Sequence, residues 1–296
     1  MYVCVTHRIV SAATTLLLSG IVAISALPTG AAASAKQAPK EIVFGVVPQQ
    51  SASRLAKVWV PTLERLATEI DLPVRFVTAK NIPTFERCLA IGAYHVAYMN
   101  PLHYVHFHNI SGYEAIAHRK GKKLRGIMVA RRDSDIEAIS DLGGQELAFP
   151  SPAAFGASVL PRAELNNSDI AFTANYVSSH DSVYRAVASG LMKAGGGVLR
   201  TFKTVQPEIR AQLKVFYTTR AYTPHAIAYH NGLPKSLAAK IQQGLVALSD
   251  HSPELLQLLG IKAFQAAANE DWDDVRRLNI PPSDFDTRKV RRLQCH

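Results

Sequence analysis

Residues 147–165 read LAFPSPAAFGASVLPRAEL. The stretch opens as a short apolar strand, breaks at Pro150 and Pro152, passes through small residues and ends in helical spacing. A strand that hands over to a helix through a bare turn is the repeating unit of α/β layering. The helix start itself, built from Ala153, Ala154, Phe155, Gly156 and Ala157, offers almost no polar side chain. A helix N-terminus leaves about four amide N–H groups unpaired and carries roughly half a positive charge. Small residues would let an anion approach those amides closely. The same small residues also suit tight packing of the helix on its sheet, and both readings stand at this point. Ser151 is the remaining hydroxyl for a cap or a ligand.

The alternation extends in both directions. EIVFGVV, residues 41–47, reads as a buried strand, and Leu55, Val58, Leu63, Leu66 and Ile70 then recur at helical spacing. Ser51 or Ser53 can cap that helix, and Pro61 is predicted to kink or restart it. VRFVT, IPTFERCLAIG and HVAYM continue as strand, helix and strand, followed by strand candidates GYEAIAHR and LRGIMVARR. The pattern restarts at ISDLGGQELAF, and AFTANYVSSHDSVYRAVASG repeats it. Two α/β blocks result, with LRGIMVARRD and TTRAYTPHAIA flanking the second. If both flanking segments run between lobes, the second block is inserted in the first. The expected fold is therefore α/β with two lobes, two crossings and a ligand cleft. The expected organisation is a signal peptide at residues 1–35, a first lobe from 40–128 plus 220–296, and an inserted lobe at 129–219.

Composition fits this reading. A chain of 296 residues, 48% hydrophobic and 19% charged, can bury a sizeable core. The first 35 or so residues combine a short stretch ending in Arg8, a charge-free apolar run and the small-residue stretch PTGAAASA. That is the pattern of a secretory signal, placing the mature chain in the periplasm or another extracytoplasmic space; an uncleaved, membrane-anchored form is the alternative. Of three cysteines, Cys4 lies in the signal. Cys88 reads as a buried, inert thiol, although a Cys88–Cys295 bridge is permitted in an exported compartment. The formal charge is +10, with basic runs at residues 118–125 and 288–293. Export removes nucleic acid as a partner, and these runs read as solvated surface that adds some attraction for anions.

The four loops at the strand ends, VPQQS, MNPLH, FPSPAAFG and SSHDS, with the stretches FGVVPQQS, GAYHVAYMNPLHYV, GIMVARRDSDIEAISDLGGQELAF, SSHDSVYRAVASG and AGGG, resemble the phosphate/phosphite/phosphonate-binding (PhnD-like) periplasmic receptors of ABC transporters. The resemblance covers residues 40–250 or so. It implies a type 2 periplasmic-binding fold that closes on a small anionic ligand and passes it to an ABC permease, with no catalysis and no cofactor. It also implies departures. Many relatives hold phosphonate oxygens with a Ser/Thr-Ser/Thr-Ser-Gly run where this chain has Ala154-Phe155-Gly156-Ala157. A common acidic residue is Lys193 here. A ligand sensor signalling to a membrane kinase, an enzyme on the same scaffold and a basic-surface polyanion binder are the other readings. A monomer is expected.

The expected ligand residues are Gln49 and Ser51 after the first strand and Asn100 and Tyr104 in MNPLHY. Ser151, Ala154, Phe155 and Gly156 follow in the bare turn, then His180 at the next strand-to-helix turn and His225 at the return crossing. Asp181 or Ser182 is expected to cap the helix after His180. HYVHFH holds His103, His106 and His108, whose spacing does not converge them on one metal. Nucleophile-elbow, P-loop, dinucleotide and zinc-protease motifs are all lacking in the sequence.

Overall fold

The computed structural model describes residues 38–282 and Cys295. The expected signal peptide and the basic run at 288–293 lie outside the described residues. Strands β1 (Ile42–Val46), β2 (Val74–Thr78), β3 (Val96–Met99) and β4 (Tyr113–Arg119) alternate with helices α1 (Ala52–Ile70), α2 (Ile82–Ala90) and α3 (Pro101–Ser111). The chain then crosses to β5 (Ile127–Arg131) and β6 (Glu146–Phe149). A π-turn (Phe155–Val159) follows and runs directly into α4 (Leu160–Asn167). Next come β7 (Thr173–Tyr176), α5 (His180–Ala188), β8 (Ala194–Gly197), α6 (Leu199–Thr204), α7 (Pro207–Ala211) and β9 (Leu213–Thr218). A second crossing leads to β10 (Ala226–His230), α8 (Lys235–His251), α9 (Pro253–Leu258) and β11 (Phe264–Ala266).

Two sheets form. One has the order β11-β4-β10-β3-β1-β2 and the other β7-β6-β8-β5-β9. The chain thus leaves the first sheet after β4, completes the second and returns as β10. The two crossings pair with each other through an antiparallel bridge between Leu124 and Tyr222, with Leu124 N donating to Tyr222 O at 2.7 Å. Thr219 extends the pairing: its hydroxyl accepts from Gly126 N at 2.8 Å.

In the first sheet β2, β1 and β3 are parallel, so their carboxyl ends share one edge. β10 runs antiparallel to β3, with Ala226 opposite Met99. The residue that precedes β10, His225, is thereby carried to the same edge. In the second sheet β6 is parallel to β7 and β8. Its edge brings the turns after Phe149, Tyr176 and Gly197 together. Ligands in α/β folds gather at such edges.

Helix α1 packs Leu55, Trp59, Leu63, Leu66 and Ile70 against the first sheet and α8. Each such burial contributes about 1.5–3 kcal/mol. It runs through Pro61 as one helix, so the restart that the sequence allowed does not occur; the buried stripe on both sides of Pro61 holds it together. Cys88 is not the free thiol expected. It is disulfide-bonded to Cys295, which ties the C-terminal end to α2. Part of the basic run at 118–125 is also not simply solvated. Arg119 donates to the carbonyls of Lys122 and Lys123 at 2.9 and 2.6 Å, and Arg125 donates to Thr219 O at 3.0 Å.

Candidate functional site

Two strand-to-helix turns meet between the sheets. On the first-sheet side, Asn100 is the N-cap of α3: its Oδ1 accepts from His103 N at 2.8 Å. Its other end, Nδ2, donates across the cleft to Ala153 O at 2.9 Å. On the second-sheet side, the turn after β6 has no side-chain cap. Ser158 N and Val159 N make its first helical bonds, both to Ala154 O. The amides of Phe155, Gly156 and Ala157 precede those bonds and receive no partner from the helix.

The packing reading of the small residues also holds, on the turn's other face. A Cβ on Gly196 would stand 1.9 Å from Ala157 O, one on Gly126 would stand 2.1 Å from Gly156 O, and one on Gly156 would stand 2.7 Å from Val198 Cγ1. The glycines of β8 and of the first crossing let the turn press its carbonyls onto the sheet. The bare turn therefore packs its back and presents its front.

A cavity of about 10 Å³ remains between the turns, lined by Gln49, Asn100, His180, His225 and the backbone of residues 154–157. That is space for one water. The lobes are closed on each other. His180 N donates to Gln49 O at 3.2 Å, Gln50 Nε2 donates to Thr204 Oγ1 at 2.8 Å, Arg54 pairs with Asp181 at 3.0 Å, and Arg200 donates to Gln49 Oε1.

Both cavity histidines are buried. Burial, with the charge of Arg200 adding to it, holds His180 down to about 3. Burial and the charges of Arg200 and Arg119 hold His225 well below the usual imidazole range. Each ring is neutral at ordinary pH. His180 Nδ1 shares a hydrogen with Thr201 Oγ1 at 2.9 Å. His225 Nε2 is buried without a hydrogen-bond partner.

Of the expected residues, the structure gathers Gln49, Asn100, Ala154, Phe155, Gly156, His180 and His225 around this one space. Three fall outside it. Ser51 is exposed, starts α1 without a side-chain cap bond and pairs with Ser53 Oγ instead. Ser151 is buried with its hydroxyl unpaired. Tyr104 turns into the core: its hydroxyl donates to Asn269 Oδ1 at 2.9 Å, accepts from Ala115 N at 3.3 Å, and is raised to about 12 by burial. The cap of α5 is Ser179, which accepts from Ser182 N at 3.1 Å, not Asp181 or Ser182. Asp181 is engaged by Arg54 across the cleft. Ala157, named with the bare turn though not among the expected ligand residues, lines the space as well, and Val47, Ile82 and Arg200 are the residues missed. A single Arg in AGGGVLRTF, just past a glycine-rich strand, was the available signal for Arg200. The histidines of HYVHFH go separate ways, His103 to Asn100 and Glu86, His106 to Ile280 O, and His108 to Tyr113 O.

Two mixed sheets exchanging the chain twice, with strand ends facing across a cleft, define a type 2 periplasmic-binding architecture. Solved structures with this fold include PhnD1 from Prochlorococcus marinus in complex with methylphosphonate, 19% identical with a TM-score of 0.73 over 81% of this chain and 99% of that one. A binding protein component of an ABC phosphonate transporter from Pseudomonas aeruginosa is 17% identical, with a TM-score of 0.74 over 82% and 86%. A Xanthomonas citri protein bound to chloride is 17% identical, with a TM-score of 0.64 over 81% and 99%. The family model for the phosphonate periplasmic substrate-binding proteins of ABC transporters matches residues 44–272. The chain belongs to that family, whose members bind substrate for a transporter and act outside the cytoplasm.

Proposed function

We propose that this chain captures a phosphonate or a closely related small oxyanion between its lobes and delivers it to an ABC permease. The observation that carries the reading is the character of the cavity wall. It offers the amides of residues 155–157, the amide groups of Gln49 and Asn100 and two neutral imidazoles, with no carboxylate among its lining residues. Neutral donors and helix-turn amides stabilise an oxyanion without a fixed counter-charge in contact. In this reading the backbone of residues 155–157 takes over the work that relatives give to hydroxyls. The lobes, 40–128 plus 220–296 and 129–219, move about the paired crossings at Leu124 and Tyr222. A ligand of phosphonate size enters with the lobes further apart than they stand here, since the closed cavity holds one water.

Thermal unfolding tests the reading. Ligand that binds the folded form alone adds about 2.7 kcal/mol at a hundred times its Kd. Methylphosphonate, phosphite or phosphate should therefore raise Tm by several degrees. A flat response to all three, with titration calorimetry also silent, would remove the oxyanion reading.

A further inference from the structure

His225 is a wall shared by two cavities. Beyond it lies a second space, also about 10 Å³, lined among others by Trp59, Tyr98, Arg119 and Arg200. Its chemistry differs from that of the first. Two guanidiniums reach it from opposite sides of the cleft, Arg119 from the end of β4 and Arg200 from α6. Neither is in an ion pair with any described residue. Arg119 is held in place by the carbonyls of Lys122 and Lys123, and burial together with the charge of Arg200 disfavours its own charge. Two further nitrogens are buried without partners, the Trp59 Nε1–H donor and His225 Nε2, on residues only 2% and 6% exposed. No carboxylate lines the space. The Tyr98 ring stacks on His225 at 4.9 Å and meets Trp59 at 4.7 Å, giving the second space an apolar side.

Like charges confined together and a buried donor left unpaired both raise the free energy of the protein. One occupant relieves both, a negatively charged group with acceptor oxygens. Because His225 borders both spaces, that group can belong to the molecule already held in the first. We propose that the ligand is bipartite: a phosphonate at the bare turn, joined by a short carbon chain to a carboxylate seated between Arg119, Arg200 and Trp59. The substrate class is a phosphonocarboxylate. This rests on the phosphonate reading above and narrows it. The same charges repel an ammonium group, so aminoalkyl phosphonates are disfavoured.

Titration calorimetry on the whole chain tests this with methylphosphonate, 2-aminoethylphosphonate and the series phosphonoacetate, 3-phosphonopropionate and 4-phosphonobutyrate. At least one phosphonocarboxylate should bind about tenfold or more tighter than methylphosphonate, and 2-aminoethylphosphonate should bind more weakly than methylphosphonate. Arg119→Gln should cost the best phosphonocarboxylate about tenfold and methylphosphonate less than about threefold. Trp59→Phe, which keeps an aromatic ring and removes the N–H together with the pyrrole half of the indole, should act in the same direction and guards against misfolding of the first variant. Methylphosphonate binding as tightly as every phosphonocarboxylate would overturn the inference and leave the phosphonate reading intact. Silence toward all five compounds would overturn both.

Discussion

Two helix starts face each other across the cleft and solve the same problem in opposite ways. The start of α3 is closed by its own side chain: Asn100 accepts from His103 N, so one end amide is used internally. The start at residues 155–157 has no such cap. Its amides take no bond from the helix, and the turn is held down by glycines of the opposing strand instead. The capped start then serves the uncapped one, since Asn100 Nδ2 reaches over to Ala153 O. Of these two starts, the one with a polar side chain satisfies its own amide, and the one without leaves its amides facing the cavity.

The strongest way to break this contrast is to disturb the floor under the bare turn. In Gly196→Ala the new Cβ would sit 1.9 Å from Ala157 O, a backbone atom that does not step aside cheaply. Overpacking of this kind costs on the order of 3 kcal/mol. We expect a loss of that size in chemical denaturation, together with loss of oxyanion binding. A variant that bound normally would show that the turn's position on β8 is irrelevant to the site.

The contrast also explains what could be read from the sequence. Strand and helix order, the shared cleft and the cluster of Gln49, Asn100, His180 and His225 were legible because each residue sits next to a turn that periodicity marks. The fate of Tyr104 was not legible. It lies one helical turn beyond Asn100, and only the packing of Trp272 and Asn269, more than 160 residues later, turns its hydroxyl inward. Arg200 was missed for a related reason: its bond to Gln49 joins residues 151 apart. The Cys88–Cys295 bond joins residues 207 apart, and spacing alone says nothing about such a pair.

Protonation sharpens the comparison from the side of the histidines. His180 is held down to about 3 by burial, with Arg200 adding to it, whereas the unfolded chain titrates near 6.5. Between these values the unfolded state takes up the proton and the native state does not. Stability is therefore fully present above about pH 6.5 and is lost as pH falls toward 3. The contribution of His180 amounts to about 2 kcal/mol by pH 5, at about 1.4 kcal/mol per pH unit. Comparing His180→Gln with the parent in urea at pH 7 and pH 5 measures it. Equal pH dependence in both would show that His180 is not buried as neutral imidazole.

Asn100→Asp separates the two jobs of that residue. The carboxylate can still cap α3 but cannot donate to Ala153 O, and it adds a negative charge to the cavity wall. Oxyanion affinity should fall by about tenfold or more, equivalent to about 1.4 kcal/mol, while Tm in the absence of ligand changes by only a few degrees. Unchanged affinity would mean that the cavity does not hold an anion near Asn100.

The smallest effect belongs to the residue that spacing placed in the site and packing removed from it. Tyr104 Oη bridges Asn269 and the amide of Ala115, and its ring packs on Trp272 at 4.5 Å. Tyr104→Phe keeps the ring and leaves Ala115 N–H without its acceptor, a loss of about 1 kcal/mol of stability. Since the hydroxyl points away from the cavity, titration with methylphosphonate should give the parent affinity within about twofold. A tenfold loss of binding at nearly constant stability would return Tyr104 to the ligand. It would also mean that the lobes reorganise far more on binding than a rotation about the paired crossings allows.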